Sequence, residues 1–129
     1  DIAAARMRAQ QGVSRDLPQG VNTPGQHLLC IVREGDENDS PIGYLWCTPE
    51  TAGQFVFISD FYVFPDHRGN GYGKSALMAL EAMFTKTGYN EVRLRVAADN
   101  KKAQRLYTAL GYTITGINMR KAFGKTRLD

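Results

Sequence analysis

A glycine-rich segment near the middle of the chain has the residue types and spacing of an anion site. It runs from Arg68 to Lys74 with the sequence RGNGYGK, directly before an apolar pattern of helical period. The first turn of a helix has backbone N–H groups without intrahelical partners and a partial positive charge, and glycine lets an anion approach them closely. Arg68 and Lys74 add positive charge at the two ends. The segment therefore predicts a phosphate or pyrophosphate site.

Three other nucleotide motifs fit this segment less well. A Walker A loop requires glycine at the position of Arg68. A dinucleotide fingerprint starting at Gly71 would follow its strand almost at once, whereas residues 65–70 intervene, and no chain remains for a second mononucleotide half. The RNA-recognition consensus differs from RGNGYGKSAL. A connecting turn that binds nothing is the remaining alternative, but it leaves three glycines directly before a helix unexplained.

One carboxylate stands within the apolar run that precedes the turn. Asp60 lies in QFVFISDFYVF, from Gln54 to Phe64, and an ionisable group in such a run is a candidate general base. A buried, hydrogen-bonded structural carboxylate is an equal alternative. His67, beside the turn, is interpreted as a surface residue rather than a base.

Hydrophobic patterning sets these residues on a series of strands and helices. Residues 2–11 have helix-forming composition, and residues 16–25 predict a loop. The predicted strands are His27–Arg33, Ile42–Thr48, Gln54–Phe64 and Glu91–Ala97. The first two predict an antiparallel hairpin, and the third is expected to be central. One helix follows the glycines and ends near Thr87, and another is capped by Asn100 and ends at Gly111. Residues 112–123 predict one or two further strands.

Length and composition favour one domain over residues 1–129. The formal net charge of +3 suits an anionic small molecule and is far from that of a dedicated nucleic-acid binder. Cys30 and Cys47 lie in separate strands without metal-type spacing, so we expect reduced core residues and no metal. No apolar run is long enough for a membrane span and no signal-peptide pattern opens the chain, which favours a cytoplasmic protein with neither membrane nor nucleic-acid partner.

From about His27 to Phe123 the sequence resembles the GNAT superfamily of acyl-CoA-dependent N-acyltransferases. The resemblance rests on Phe61 to Pro65, on Arg68 to Gly73 as the R-x-x-G-x-G signature, and on Asn100, Ala103, Leu106, Tyr107, Gly111 and Tyr112. It implies an α/β (α+β) fold with a mixed, mostly antiparallel, twisted sheet flanked by helices. In this fold a central parallel strand pair splays apart at a bulge. The usual first strand is expected to be missing from the chain.

The resemblance also implies the binding residues for acetyl-CoA as cosubstrate. Residues 54–112 form the acetyl-CoA-binding core, and residues 1–25 form a helix and loop near the acceptor site. The implied binding residues are Phe61, Tyr62, Val63, Arg68, Gly69, Asn70, Gly71, Tyr72, Gly73, Lys74, Asn100, Ala103 and Tyr107. Lys74, Lys101 and Lys102 have the alternative of being solvated helix charges.

The implied reaction is direct transfer of an acetyl group to a primary amine in a ternary complex. In the family, the tyrosine matching Tyr107 protonates the departing thiolate, although a core tyrosine is the structural alternative. Some polyamine-type relatives carry Glu-Asp where this chain has Ser59-Asp60, which leaves the proton acceptor open and Asp60 as the candidate. A non-catalytic acyl-CoA sensor is the alternative function. The acceptor is not identified by the sequence, and a homodimer stays open.

Overall fold

In the described part of the chain, five strands pair into one sheet, and their order in the sheet is their order along the sequence. The computed structural model describes residues 5–9 and 25–124, and the chain divides into two units, Asp1–Ala97 and Ala98–Asp129. The sheet belongs to the first unit. Its strands are β1 (Ala5–Ala9), β2 (His27–Arg33), β3 (Pro41–Glu50), β4 (Phe55–Val63) and β5 (Glu91–Leu94). Strands β1 to β4 are antiparallel neighbours and β4 pairs with β5 in parallel, so the mixed, mostly antiparallel sheet is confirmed.

One helix, α1 (Tyr72–Thr85), packs on the sheet through the apolar stripe that its sequence predicts. Its buried residues are Ala76, Leu77, Leu80 and Phe84. Their spacing of one, three and four residues follows the helical period and gives a single apolar face. The helix contacts β1 and β4, and the backbone N–H of Ala5 in β1 donates to Ser75 Oγ at 2.8 Å. Burying each large side chain contributes roughly 1.5–3 kcal/mol, so this face anchors the start of α1 to the sheet.

A one-residue bulge interrupts β4 where its pairing with β5 ends. Cys47 of β3 pairs with Ile58, but Trp46 pairs with Asp60, so Ser59 is an extra residue in β4. The parallel pairing of β4 with β5 extends only from Phe55 to Ile58. Within the described residues, the stretch from Ser59 to Val63 therefore keeps β3 on one side and has no strand on the other. The expected splayed parallel pair is confirmed.

The second unit contains a single helix among its described residues, α2 (Lys101–Ala109). The backbone N–H of Ala103 donates to Asn100 Oδ1 at 3.1 Å, which confirms Asn100 as the N-cap. Gly111, with φ of 94°, follows the last turn and adopts the left-handed conformation that ends many helices. The apolar stripe of α2 is half-buried at Ala103, Leu106 and Tyr107.

Two sequence expectations about the ends of the chain are wrong. Ala5–Ala9 forms β1 instead of part of a helix, because pairing along β2 outweighs the helix propensity of its alanines and arginines. This strand lies at the edge of the sheet, beside β2. Residues 112–123 form neither helix nor strand, although their residue types suit a strand. The predicted loop over residues 16–25 lies outside the described residues except for Gly25.

The two cysteines agree with the sequence expectation. Cys30 and Cys47 are both buried and free of a disulfide, as predicted. None of the helices in the described part of the chain has the length and apolar character needed to cross a bilayer.

Candidate active site

The turn from Arg68 to Gly71 joins β4 to α1 with two glycines in left-handed conformations. A short 3-10 helix, Pro65–His67, follows β4, and the chain then passes through Gly69 at φ of 79° and Gly71 at φ of 84°. A Cβ at either glycine would have no protein atom within 4 Å. Backbone conformation, rather than lack of space within the protein, therefore requires glycine at both positions.

The entrance of α1 offers a row of backbone donors. The first intrahelical hydrogen bond is donated by Ser75 N–H to the Gly71 carbonyl at 3.1 Å. Among the described residues, none accepts a hydrogen bond from the N–H groups of residues 69–74. Gly69, Asn70, Gly71 and Lys74 are also exposed. Free donors at a helix N-terminus bind oxyanions. The predicted phosphate site, called the cradle below and formed by the N–H groups of residues 69–74, therefore has the donor set that a pyrophosphate needs.

The side chain of Asn70 stabilises the turn from within. Its Nδ2 lies 3.4 Å from the carbonyl oxygens of both His67 and Arg68. The rings of His67 and Tyr72 are in edge contact, with their centroids 6.4 Å apart. These contacts hold the turn in shape without using the N–H groups of the cradle.

Beyond the bulge, β4 presents polar backbone groups at its open edge. Phe64 N–H donates to the Ile42 carbonyl at 2.8 Å, so these residues form a hydrogen-bonded pair between β4 and β3. Such pairs alternate with non-bonded pairs in an antiparallel ladder, and Val63 with Gly43 is therefore a non-bonded pair, as is Phe61 with Leu45. The backbone groups of Phe61 and Val63 consequently face away from β3, toward the side that β5 has left.

Side chains of the same unit use two of these four edge groups. Phe61 N–H donates to Asp60 Oδ1 at 2.9 Å, and the Val63 carbonyl accepts from Arg68 Nε at 2.7 Å. No described residue bonds to the Phe61 carbonyl or to the Val63 N–H. One acceptor, the Phe61 carbonyl, and one donor, the Val63 N–H, therefore remain on the open edge for a bound molecule.

The carboxylate of Asp60 is exposed and fixed in place. Tyr44 Oη donates to Asp60 Oδ2 at 2.9 Å, while Oδ1 accepts from Phe61 N–H. The buried structural carboxylate that the sequence left as an alternative is thus wrong about burial, because the side chain lies on the sheet face opposite α1. Ser59, the bulge residue, is exposed beside it.

A row of aromatic rings continues from Tyr44 along this face. The Tyr44 and Tyr62 ring centroids are 5.6 Å apart, and those of Tyr62 and Phe64 are 6.0 Å apart. The Arg68 guanidinium lies 4.8 Å from the Tyr62 centroid, within cation–π distance. Tyr44 was not predicted as a site residue, because its position opposite Tyr62 depends on the register between β3 and β4.

Gly43 is a second site residue that sequence reasoning missed. A Cβ there would lie 2.3 Å from the Tyr62 carbonyl oxygen and 3.0 Å from Val63 Cα. Glycine is therefore required for β3 to approach the end of β4 that carries the open edge.

The remaining predicted residues share α2 in the second unit. Asn100 uses its Oδ1 to cap the helix, and Ala103 supplies the capping N–H. Tyr107 is half-buried, with its ring centroid 5.6 Å from that of Tyr112, and its carbonyl accepts from Tyr112 N–H at 2.9 Å. The first unit thus brings together Asp60 to Val63 and Arg68 to Lys74, while the second brings together Asn100, Ala103 and Tyr107.

Comparison with known proteins agrees with this fold. The chain belongs to the acetyltransferase (GNAT) family, whose family model matches residues 4–112. It is accordingly an acyltransferase of the N-acetyltransferase class, a family that uses acetyl-CoA or another acyl-CoA as cosubstrate.

Similarity to one relative extends over most of the chain, and similarity to another covers about half of it. The uncharacterized N-acetyltransferase YycN of Bacillus subtilis (strain 168) is 35% identical over 119 residues, which cover 91% of this chain and 74% of the relative. The crystal structure of YycN matches with a TM-score of 0.75 at 35% identity, over 84% of this chain and 69% of that chain. A thialysine N-epsilon-acetyltransferase of Bos taurus is 36% identical over 59 residues, covering 46% of this chain and 35% of the relative.

Proposed function

We propose that this chain transfers an acetyl group from acetyl-CoA to a primary amine of a small molecule or protein, by direct attack in a ternary complex. The observation that carries the proposal is the continuity of two donor sets in one unit. The free N–H row of residues 69–74 follows the open edge of β4 along the chain. A molecule with a pyrophosphate and an amide-containing arm needs both.

The proposed binding roles follow from these donor sets. The backbone from Arg68 to Lys74 holds the pyrophosphate, and Lys74, which is exposed, adds charge. The Phe61 carbonyl accepts a hydrogen bond from the pantetheine arm, which lies as an added strand beside Tyr62, and the Val63 N–H meets the acyl end of that arm. Asn100 and Ala103 contribute from the start of α2.

The proposed chemistry uses three groups of the chain. Bound acetyl-CoA supplies an acetyl group activated as a thioester. The Val63 N–H stabilises negative charge on the acyl oxygen, as backbone donors do in acyl transfer. Tyr107 donates its hydroxyl proton to the departing sulfur, and Asp60 accepts the proton that the amine loses. Each Asp60 oxygen already accepts one hydrogen bond and retains further lone-pair capacity for this role.

A side-chain amine is the acceptor that we propose to test first. The Bos taurus relative acts, by its name, on the ε-amine of thialysine. Release of the CoA thiol would be followed across thialysine, lysine, diamines, aromatic amines and lysine peptides. We expect turnover with at least one primary amine and none with the matching alcohol.

Calorimetry with acetyl-CoA separates this function from its non-catalytic alternative. Tight binding without turnover on any amine would instead favour an acyl-CoA sensor. Asp60→Asn should lower turnover on the best amine about 100-fold or more if Asp60 is the base, with acetyl-CoA affinity nearly unchanged. Transfer of labelled acetyl to the protein itself, at stoichiometric level and without acceptor, would contradict direct attack.

A further inference from the structure

The contact between Arg68 and the end of β4 assigns this side chain a different task from the one its charge suggests. In the sequence, Arg68 opens a phosphate-binding segment and would neutralise phosphate. In the structure, its Nε donates to the Val63 carbonyl at 2.7 Å and its guanidinium lies 4.8 Å from the centre of the Tyr62 ring. The side chain is thus directed back along β4, away from the N–H row at the start of α1.

Few other bonds fix the turn to the strand. Between β4 and α1, His67 N–H donates to the Phe64 carbonyl at 2.9 Å and Arg68 N–H to the Pro65 carbonyl at 3.2 Å. Both bonds lie within the 3-10 helix and its caps. The Arg68 side chain spans five residues and joins the turn directly to the open edge, so it sets the position of the cradle relative to the strand.

The same bond determines which edge groups are available. The Val63 carbonyl is one of four polar backbone groups of Phe61 and Val63 that face the open side. Because Arg68 occupies this carbonyl and Asp60 occupies Phe61 N–H, the free groups are the Phe61 carbonyl and the Val63 N–H. Without Arg68, the edge would offer a second acceptor next to the donor.

We propose that Arg68 is a positioning residue that acts through its Nε donor and not through its charge. It ties the pyrophosphate turn to the end of β4 and closes the Val63 carbonyl, which leaves the Phe61 carbonyl and the Val63 N–H to face the cosubstrate. This inference rests on the proposed function, since it concerns how the same acetyl-CoA site is shaped.

Two conservative substitutions separate the donor from the charge. In Arg68→Gln, the amide Nε2 stands at the same depth along the side chain as the arginine Nε, so the bond to Val63 is kept while the charge is lost. In Arg68→Lys, the charge is kept, but a methylene replaces the donor at that depth. Lys86→Gln, at the exposed end of α1, removes a charge elsewhere and serves as the control.

Affinity for CoA and for pantetheine, which has no phosphate, is measured by titration of backbone amide resonances. We expect Arg68→Gln and Lys86→Gln to stay within about threefold of the unsubstituted protein. Arg68→Lys should bind both ligands about tenfold more weakly, the loss that one hydrogen bond of about 1.4 kcal/mol gives. The Val63 amide resonance should move in Arg68→Lys before any ligand is added.

The outcomes distinguish the inference from the proposed function. A weaker Arg68→Gln with an intact Arg68→Lys, equal losses in both, losses confined to CoA, or no loss in either would overturn the inference and leave the function standing. If the unsubstituted protein bound neither ligand, the proposed function itself would fail and the inference with it. Amide spectra of each variant verify that it is folded.

Discussion

At the scale of single residues, the Tyr107 hydroxyl is the group whose removal tests the chemistry most directly. Tyr107→Phe keeps the ring and its contact with Tyr112 while removing the proposed proton donor. We expect kcat to fall about 100-fold or more, with acetyl-CoA affinity within about twofold, because proton transfer acts on the chemical step. Tyr112→Phe removes a neighbouring hydroxyl and serves as the control. Equal turnover in the two variants would exclude Tyr107 from the mechanism.

Cys47 predicts a pH dependence of folding. Burial raises the pKa of the Cys47 thiol from 9.0 to about 12, because the thiolate is poorly solvated in the core. The folded state therefore keeps its proton where the unfolded state loses it, and this contribution to stability disappears as the pH rises from about 9 to about 12. The stability advantage of the unsubstituted protein over Cys47→Ala should shrink over that range. Chemical unfolding between pH 8 and 11 measures it, and a constant difference would contradict the assignment.

Some site residues were predictable from their residue types, whereas the contacts between site residues were not. Asp60, Arg68 and the three glycines stand out in the sequence because their types suit a binding site. The bonds from Tyr44 to Asp60 and from Arg68 to Val63 were not predictable, because they depend on strand register and on a side-chain direction that spacing does not specify.

At the scale of elements, the effect of the left-handed Gly71 at the start of α1 on CoA binding can be tested separately from its effect on stability. Gly71→Ala introduces a Cβ at φ of 84°, which costs about 1–2 kcal/mol and shifts the turn that presents the N–H row. Gly88→Ala, at φ of 98° just after the same helix, carries the same backbone cost at the opposite end. Both variants should lose similar stability in thermal unfolding, but only Gly71→Ala should lose CoA affinity. Equal affinity in the two would count against the cradle.

The close approach of β3 to β4 predicts that a substitution at Gly43 lowers both stability and acetyl-CoA binding. Gly43→Ala places a Cβ 2.3 Å from the Tyr62 carbonyl oxygen, so the strands must separate at the open edge. We expect a loss of about 1–3 kcal/mol in unfolding free energy, typical of overpacking, together with weaker acetyl-CoA binding. Gly116→Ala, where the added methyl meets no atom within 4 Å and φ is not positive, is the matched control. A stable Gly43→Ala protein with normal binding would contradict the close approach.

Elements with strong local patterns were predicted well, and elements defined by distant partners were not. β4, α1 and the capped α2 follow from strand composition, helical period and an Asn cap. β1 was predicted as a helix because its alanines favour helix locally, and only its partner β2 makes it a strand. The tail was predicted as strand from residue type, but residue type alone provides no partner strand.

At the scale of the whole molecule, cosubstrate binding should stabilise the fold by mass action. A ligand at 100 times its Kd adds about 2.7 kcal/mol when it binds the folded state alone. For a chain of this length that corresponds to a rise of roughly 10 °C in the melting temperature. Thermal scans with acetyl-CoA measure the shift, and inorganic pyrophosphate at the same concentration controls for general anion effects. An equal shift with pyrophosphate would show that the arm contributes nothing at the β4 edge.

The family was predictable at this scale, while the acceptor was not. Two signatures in the right order identify the fold and the cosubstrate class. The acceptor depends on which surfaces enclose the amine, and residues 1–25, which the resemblance relates to that region, carry no comparable signature.

A single extra residue, Ser59, accounts for the opening in the sheet between β4 and β5. Ile58, Phe61 and Val63 lie on the α1 face of β4, opposite Cys47, Leu45 and Gly43 of β3, because one supernumerary residue intervenes. A chain shortened by that single serine would still place Ile58, Phe61 and Val63 at alternate positions on the α1 face, so their packing would be preserved. β4 could then run straight beside β5, and its open edge would be closed. The apolar pattern of β4 therefore determines how the strand packs, whereas the single extra residue Ser59 determines whether a ligand can enter.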